Sequence, residues 1–316
     1  MITQQNTTLQ NTLIDNPKKY KNLTIFPILG RNSSNNCSVF HDAINDNSLK
    51  ISEISEEGYV PSLYFTNNSP FPIFIIDGQT ITAKGLKQNR VITVSTLLPT
   101  KEKTTVSVLC SERGRWSRTD REFASRDSSM FAKARFSKME TMSSRSEEDS
   151  NMAYDQSADQ QQAWEQINRK FSSFNDYSSS ESMQDIYKNK ENILKEFERE
   201  LIMPEQAVGA IFAIGNRVLG FELFSNHDLF SSHYAQLLKS YALDAIEKIT
   251  SDAKPSLNDA KQLLNEADNS VAKQCKNNGL GNLFTINSDN ICATVLILNG
   301  TIIHFTCFSK KMREEL

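Results

Sequence analysis

The sequence lacks several features that would assign it to a common class of protein. Its five cysteines are odd in number and form no CxxC pair, so we expect neither a disulfide framework nor a zinc site. No apolar run approaches the roughly 18 residues of a membrane-spanning helix, and the opening MITQQNTTLQ lacks the basic and apolar segments of a signal peptide. These absences predict a cytoplasmic protein that does not contact the membrane.

An excess of charge of one sign is also missing. The chain has 35 basic and 38 acidic side chains, with a formal net charge of -3. This balance argues against a general binder of nucleic acids or membrane surfaces. The 316 residues are enough to bury a large core, in one large domain or in two closely joined ones.

The common catalytic and nucleotide-binding signatures are absent as well. The chain contains no GxxxxGK[ST], GxGxxG, HExxH or GxSxG pattern, and only four histidines. His227 and His233 lie six residues apart on a predicted helix, which turns them to different faces. His304 lies in an apolar strand, where we expect a core histidine. The sequence therefore predicts no metal site and no cofactor.

The order of the predicted elements favours an α+β fold of mainly antiparallel sheets, with helices inserted in the middle and C-terminal part. Strand-like segments precede helical ones in blocks. We divide the chain into a polar tail (1–22), a β-rich part (23–116), a Ser/Arg-rich loop or mobile segment (117–160) and an α+β C-terminal part (161–316). The last part is expected to form one compact unit with 23–116.

Turn residues and periodicity predict the individual elements. Two C-terminal hairpins are expected, one turning at Gly215-Asn216 and one at Asn299-Gly300. Apolar residues at spacings of three and four predict helices in QQQAWEQINRKF, in MQDIYKNKENILKEFERELI and in the segment that begins HDLFSSHYAQLL. The segments 91–98 and 104–110 are joined by a short polar link and predict a further antiparallel hairpin. That hairpin would place LKQNR and SERGRW at the same open end.

These two polar stretches contain the candidate site. Between Lys84 and Arg135 the chain has twelve basic and five acidic residues, although the whole protein is acidic. Arginine holds phosphate or carboxylate oxygens in pairs, lysine supplies a point charge, amides read polar edges, and tryptophan offers a stacking surface. The candidate ligand-binding residues are Lys87, Gln88, Asn89, Arg90, Arg113, Arg115, Trp116 and Asp77.

One carboxylate and one thiol are candidates for chemistry. Glu112 is the catalytic candidate, as a general base, but it could also form an ion pair with Arg90 or Arg113. Asp77 could be a second carboxylate at the same end or a turn residue. Cys110 could be a nucleophile, although a buried strand cysteine is the simpler interpretation.

The order of DG (77–78), KQNR (87–90) and CSERGRW (110–116) resembles the ARPP domain family, which is named for its association with ADP-ribosylglycohydrolases and rhodanese-phosphatase proteins. The resemblance continues through QQAWEQINRKF, AVGAIFAIGNRVLGFELF and GLGNLF, and covers residues 23–308. It implies a ligand from ADP-ribose or NAD-derived nucleotide metabolism, in bacterial stress or conflict systems. No settled reaction comes with the family.

Three hypotheses follow. The first is a protein that binds or processes an anionic nucleotide-type ligand; if it is an enzyme, it is a hydrolase of an ADP-ribose-like substrate. The second is a non-enzymatic interaction scaffold, in which the charged residues form structural ion pairs and 117–160 contacts a protein partner. The third and weakest is a single-strand nucleic-acid binder that uses the basic residues and aromatics of 113–135.

Overall fold

The computed structural model describes residues 9, 12–30, 33, 36–55, 61–82, 88–113, 128–144, 156–247 and 253–313. These residues hold seven helices and seventeen strands in mostly antiparallel sheets, which confirms the α+β prediction. No helix within the described ranges is both long and apolar enough to cross a bilayer.

The strands, in chain order, are β1 (Leu13–Ile14), β2 (Lys18–Tyr20), β3 (Leu23–Leu29), β4 (Ser38–Val39), β5 (Leu49–Glu53), β6 (Ser62–Asn67), β7 (Ile73–Ile75), β8 (Thr80–Ile81), β9 (Arg90–Ile92), β10 (Thr96–Leu98), β11 (Lys103–Cys110), β12 (Ala207–Ile214), β13 (Arg217–Phe224), β14 (Ala272–Cys275), β15 (Asn282–Asn287), β16 (Ile291–Leu298) and β17 (Thr301–Ser309). The helices are α1 (Phe40–Asn45), α2 (Ala132–Ser143), α3 (Gln156–Ser173), α4 (Met183–Asn189), α5 (Glu191–Glu200), α6 (His227–Ala245) and α7 (Leu257–Asn269).

A nine-stranded sheet forms the centre of the molecule, in the order β1-β3-β12-β13-β17-β16-β15-β14, with β2 also paired to β3. Helices α2 and α6 pack on one face and α7 packs on the other. The sheet is buried on both faces, so β12 is apolar along its whole length. On the α6 side, the Phe212 and Tyr241 rings stack with centroids 4.0 Å apart.

The two predicted C-terminal hairpins are confirmed. Strands β12 and β13 pair on either side of Gly215-Asn216, and β16 and β17 pair on either side of Asn299-Gly300. Asn299 and Gly300 both have positive φ, at 50° and 77°. A tight hairpin turn of the primed type requires this backbone conformation, which asparagine and glycine adopt at little cost.

The N-terminal part forms two smaller sheets with a core of their own. One has the order β5-β6-β11-β9-β8, and the other has the order β10-β7-β4. Phe65 and Val108 of the first sheet belong to the same buried cluster as Ile75 and Leu98 of the second. The Phe74 ring reaches the central sheet and meets Phe224 edge to face, with ring centroids 6.1 Å apart.

The hairpin predicted for 91–98 and 104–110 is only partly present. Arg90–Ile92 pairs with Val108–Cys110, but Thr96–Leu98 belongs to the other small sheet and pairs with β7. The prediction of one continuous strand over 91–98 was therefore wrong. Thr93 still bonds to the Ser107 carbonyl of β11, whereas the Ser95 hydroxyl bonds to His304 of the central sheet, so the chain leaves the five-stranded sheet between these two residues.

The structure also differs from two segment predictions. In 117–160, where we expected a loop or mobile segment, the described part contains α2, whose buried residues contribute to the main core. In the expected polar tail 1–22, strands β1 and β2 both pair with β3. Helix α2 is hard to recognise in the sequence because its buried face carries an arginine and a lysine.

Candidate functional site

The pairing of β9 with β11 brings the described parts of the two polar stretches, residues 88–90 and 111–113, to the same end of the five-stranded sheet, as the sequence predicted. Cys110 lies opposite Arg90. The Gln88 side-chain amide donates to the Glu112 carbonyl oxygen at 3.1 Å, and the Asn89 N–H donates to Glu112 Oε2 at 3.4 Å. We call Gln88, Asn89, Arg90, Cys110 and Glu112 the Arg90 cluster.

The guanidinium of Arg90 has an unusual environment. It is fully buried, and none of its three nitrogens makes a hydrogen bond to a described residue. The carboxylate of Glu53, at the end of β5, lies at ion-pair distance, with Oε1 3.6 Å from Nη2. A buried polar group without hydrogen bonds costs about 1–3 kcal/mol, and more when it is charged. Native proteins rarely keep such a group unless it has a role.

Polar side chains from neighbouring elements hold the cluster in place. Gln160, on α3, accepts from the Cys110 N–H at 2.6 Å and donates to the Cys110 carbonyl at 2.8 Å. The Gln160 side-chain amide therefore makes the two backbone hydrogen bonds that a neighbouring strand would make at the end of β11. Thr82 donates to Asn89 Oδ1 at 3.0 Å and accepts from the Gln184 amide at 3.1 Å. The result is a buried site rich in amides around one cation.

The Cys110 thiol is not poised for nucleophilic attack. Burial raises its pKa to about 11, which keeps it protonated at neutral pH. Its Sγ donates to Gln88 Oε1 at 3.0 Å. The simpler interpretation of Cys110, as a buried strand cysteine, fits this environment.

The remaining candidate residues at this end of the sheet differ in their exposure to solvent. The Arg113 side chain is 56% exposed; its Nη1 lies 4.0 Å from Glu181, and its guanidinium carbon lies 5.5 Å from the centre of the Trp164 ring. The side chain of Glu112 is almost fully buried. The candidates Lys87, Arg115 and Trp116 lie outside the described residues.

The structure places Asp77 elsewhere, in a closed ring of hydrogen bonds that we call the Asp77 ring. Arg135 Nε donates to Asp77 Oδ2 at 3.2 Å, and Arg135 Nη1 donates to Glu222 Oε1 at 2.7 Å. Glu222 Oε2 lies 3.0 Å from His304 Nε2, and His304 Nδ1 lies 2.8 Å from Ser95 Oγ. Ser95 Oγ then accepts from the Asp77 N–H at 2.8 Å, which closes the ring. All five side chains are at most 2% exposed.

Lysine and glycine complete the surroundings of Asp77. The Lys138 ammonium, one turn after Arg135 on α2, contacts both the Asp77 carboxylate and the Thr93 carbonyl. Gly78 has φ at 81°, and a Cβ at this position would lie 2.8 Å from Arg135 Cδ. Because Gly78 has no side chain, α2 can pack closely enough against it for Arg135 to reach Asp77.

The charges of the Asp77 ring balance one another. Burial by itself raises the pKa of Glu222, but Arg135 and His304 outweigh that effect and hold this pKa below its ordinary value. Burial lowers the pKa of Lys138, against the opposing effect of Asp77. Two carboxylates face two cations, and every bond of the ring is satisfied when His304 donates from Nε2 to Glu222 Oε2 and accepts from the Ser95 hydroxyl at Nδ1.

The linear order Ser95, His304, Glu222 matches that of a hydrolytic triad, but the surroundings indicate a structural role. The Ser95 oxygen already accepts from a backbone N–H, and Phe74 and Phe224 pack against the His304 ring with centroids 5.7 and 4.5 Å away. The prediction of a core histidine at position 304 is confirmed. Among the described residues, no group of three or more His, Cys, Asp or Glu side chains could hold a metal ion.

Sequence reasoning missed Arg135, Lys138 and Glu222. The available signal was Glu222, a lone carboxylate in the apolar strand RVLGFELF. Its buried position requires a buried cation from another element. Sequence alone does not show that the cation comes from α2.

Comparison with known proteins identifies the family. No curated protein and no solved structure matches the chain. The family model of the ARG and Rhodanese-Phosphatase-superfamily-associated Protein domain, ARPP-1, matches residues 11–308. The protein therefore belongs to the ARPP-1 family, as the order of its DG, KQNR and CSERGRW motifs had suggested.

Proposed function

We propose that this protein binds an anionic nucleotide-type ligand, of the ADP-ribose or NAD-derived class, at the Arg90 cluster. The observation that carries the proposal is the Arg90 guanidinium, which is fully buried, forms no hydrogen bond to a described residue and faces one carboxylate at 3.6 Å. A phosphate group supplies what this guanidinium lacks, since two of its oxygens can accept parallel N–H bonds.

The neighbouring side chains suit the uncharged parts of such a ligand. The amides of Gln88 and Asn89 can read ribose hydroxyls or a base edge. Lys87, Arg115 and Trp116 adjoin the cluster in the sequence, and Arg113 lies at its exposed rim. We propose the cations among them as further phosphate contacts and the indole as a stacking surface for the base.

If the protein turns its ligand over, Glu112 is the general base of a hydrolysis. Its carboxylate lies within the cluster and is almost fully buried. A carboxylate in this position could take a proton from an attacking water. In this proposal the protein acts in the cytoplasm of a bacterium, in a stress or conflict response.

A second candidate function, the interaction scaffold, is favoured by the Asp77 ring. The ring is satisfied in every bond and links the N-terminal sheets, α2 and the central sheet. Under this hypothesis Asp77 is structural, and 117–160 contacts a protein partner.

A thermal-shift series tests the first proposal. Wild type, Arg90→Met and the control Arg169→Ala, an exposed arginine on α3, are heated with ADP-ribose, NAD or AMP. A ligand present at 100 times its dissociation constant stabilises the folded state by about 2.7 kcal/mol. We expect this stabilisation in wild type and in Arg169→Ala, and none in Arg90→Met.

The opposite pattern would favour the scaffold. It consists of no stabilisation of wild type by any of the three compounds, together with a large loss of stability in Arg90→Met. Because the guanidinium is enclosed, binding requires a local opening of the cluster. We therefore expect slow association of the ligand, as is usual when binding requires a conformational change.

A further inference from the structure

We infer that Glu53 is the resident counter-ion of Arg90, which the ligand's anionic group must displace in order to bind. This inference rests on the proposed anion site at Arg90 and adds a residue that determines its specificity. The ligand group it implies is a phosphate or a similar oxyanion that can engage both arms of a guanidinium.

Glu53 reaches the cluster from a distant part of the chain. It ends β5, and within the five-stranded sheet β6 and β11 separate β5 from β9, which contains Arg90. Its side chain is 13% exposed, whereas that of Arg90 is fully buried. The Glu53 side chain is therefore closer to solvent than that of Arg90, although its Oε2 is itself buried.

The distance between the two charges shows how the pair is formed. The closest approach, 3.6 Å from Oε1 to Nη2, is an ion-pair distance, and none of the three guanidinium nitrogens forms a hydrogen bond to it. Glu53 thus neutralises the charge of Arg90 without satisfying its N–H donors. An oxyanion at hydrogen-bond distance would do both, and charge-assisted bonds are roughly twice as strong as neutral ones.

The second carboxylate of the site limits what can enter. Glu112 also belongs to the cluster, and both Glu53 and Glu112 are close enough to Cys110 to raise its pKa. An anion that arrived while both carboxylates stayed in place would be repelled by two negative charges. Displacement of Glu53 from Arg90 removes one of them and frees the guanidinium.

The test compares phosphate binding by three folded proteins: wild type, Glu53→Gln and the control Glu102→Gln, an exposed carboxylate that precedes β11. The probe is inorganic phosphate, titrated by calorimetry. Removal of one negative charge near the binding point should lower the dissociation constant of Glu53→Gln by at least about tenfold. Glu102→Gln should match wild type.

A dissociation constant for Glu53→Gln equal to or weaker than that of wild type would overturn the inference, as would the absence of phosphate binding in all three proteins. If Glu53→Gln does not fold, Glu53→Asp, which keeps the charge but withdraws it by one methylene, should bind phosphate more tightly than wild type. Loss of folding in both variants would assign Glu53 a structural role. Tighter phosphate binding by Glu53→Gln, with no response of wild type to ADP-ribose, would support the displacement and refute the nucleotide ligand.

Discussion

Two buried arginines, Arg90 and Arg135, have opposite environments in this protein. Arg135 bonds to two carboxylates at 3.2 and 2.7 Å within a closed ring, whereas Arg90 has one carboxylate at 3.6 Å and no hydrogen bond to a described residue. Removal of a satisfied buried cation leaves its carboxylates buried and unpaired, whereas an unsatisfied cation itself costs free energy in the absence of a partner. On the basis of this difference in hydrogen bonding, we assign Arg135 to the stabilisation of the fold and Arg90 to the binding of the ligand.

The largest effect is expected at the Asp77 ring. Arg135→Met would leave Asp77 and Glu222 buried with less compensation, which costs about 3–5 kcal/mol in comparable pairs. Urea denaturation of wild type and variant measures the loss. A loss below about 1 kcal/mol would contradict the structural role of the ring.

The pH dependence of stability gives a second test of the structural role of the Asp77 ring. The pKa of Glu222 in the folded protein lies below its ordinary value, so its contribution to stability is present above the unfolded-state pKa and is lost as the pH falls through the folded one. Glu222→Gln should be less stable than wild type at pH 7, by about 1–3 kcal/mol. The difference in unfolding free energy between wild type and Glu222→Gln should become smaller below about pH 4.3, where Glu222 begins to be protonated in the unfolded chain.

His233 adds acid sensitivity of its own to both proteins in this comparison. Burial lowers its pKa to about 4, so stability falls as the pH drops from about 6.5 to 4. Because burial is the largest cause of this shift and Glu222 the smallest, most of this contribution is common to wild type and Glu222→Gln. The test is the melting temperature of each protein as a function of pH. A difference in melting temperature that does not change with pH would show that Glu222 does not cause the predicted loss of stability in acid.

A pair of adjacent glutamines tests the support of the Arg90 cluster. Gln160→Ala removes two hydrogen bonds to the Cys110 backbone and should cost about 1–3 kcal/mol. Gln161→Ala, at an exposed position of the same helix, should change the unfolding free energy by less than about 0.5 kcal/mol. Equal losses in the two variants would show that Gln160 does not anchor β11.

The smallest effect is expected at Cys110. Because burial raises its pKa to about 11, iodoacetamide should label the partly exposed Cys275 of the native protein well before Cys110. Mass spectrometry of the labelled peptides gives the order. Rapid labelling of Cys110 would restore the hypothesis of a reactive nucleophile.

Local signals in the sequence predicted a large part of the fold. The Asn-Gly turn at 299–300 needs only its own residues to specify a hairpin, and the same holds for the apolar periodicity of α6. The meeting of Arg90 with Glu112 was also predicted, although the hairpin behind that prediction is broken: β9 pairs with the end of β11, while β10 between them joins the other small sheet. Such inferences succeed where neighbours in sequence are neighbours in space.

The features that were missed depend on distant partners. Helix α2 places Arg135 and Lys138 on its buried face, where the periodicity analysis expects apolar side chains. Their burial makes sense only with Asp77 and Glu222, 58 and 87 residues away from Arg135. Glu53 likewise reaches Arg90 across two strands, and no local pattern connects them.

One measurement tests the assignment of Arg90 most directly: the unfolding free energies of wild type and Arg90→Met, each with and without ADP-ribose. We predict that unliganded Arg90→Met loses clearly less unfolding free energy than Arg135→Met, because the 3.6 Å contact of Arg90 with Glu53 includes no hydrogen bond, whereas Arg135 bonds to two carboxylates. ADP-ribose should stabilise wild type alone. A loss of about 3–5 kcal/mol in Arg90→Met, with no effect of ADP-ribose on wild type, would show that Arg90 is as structural as Arg135.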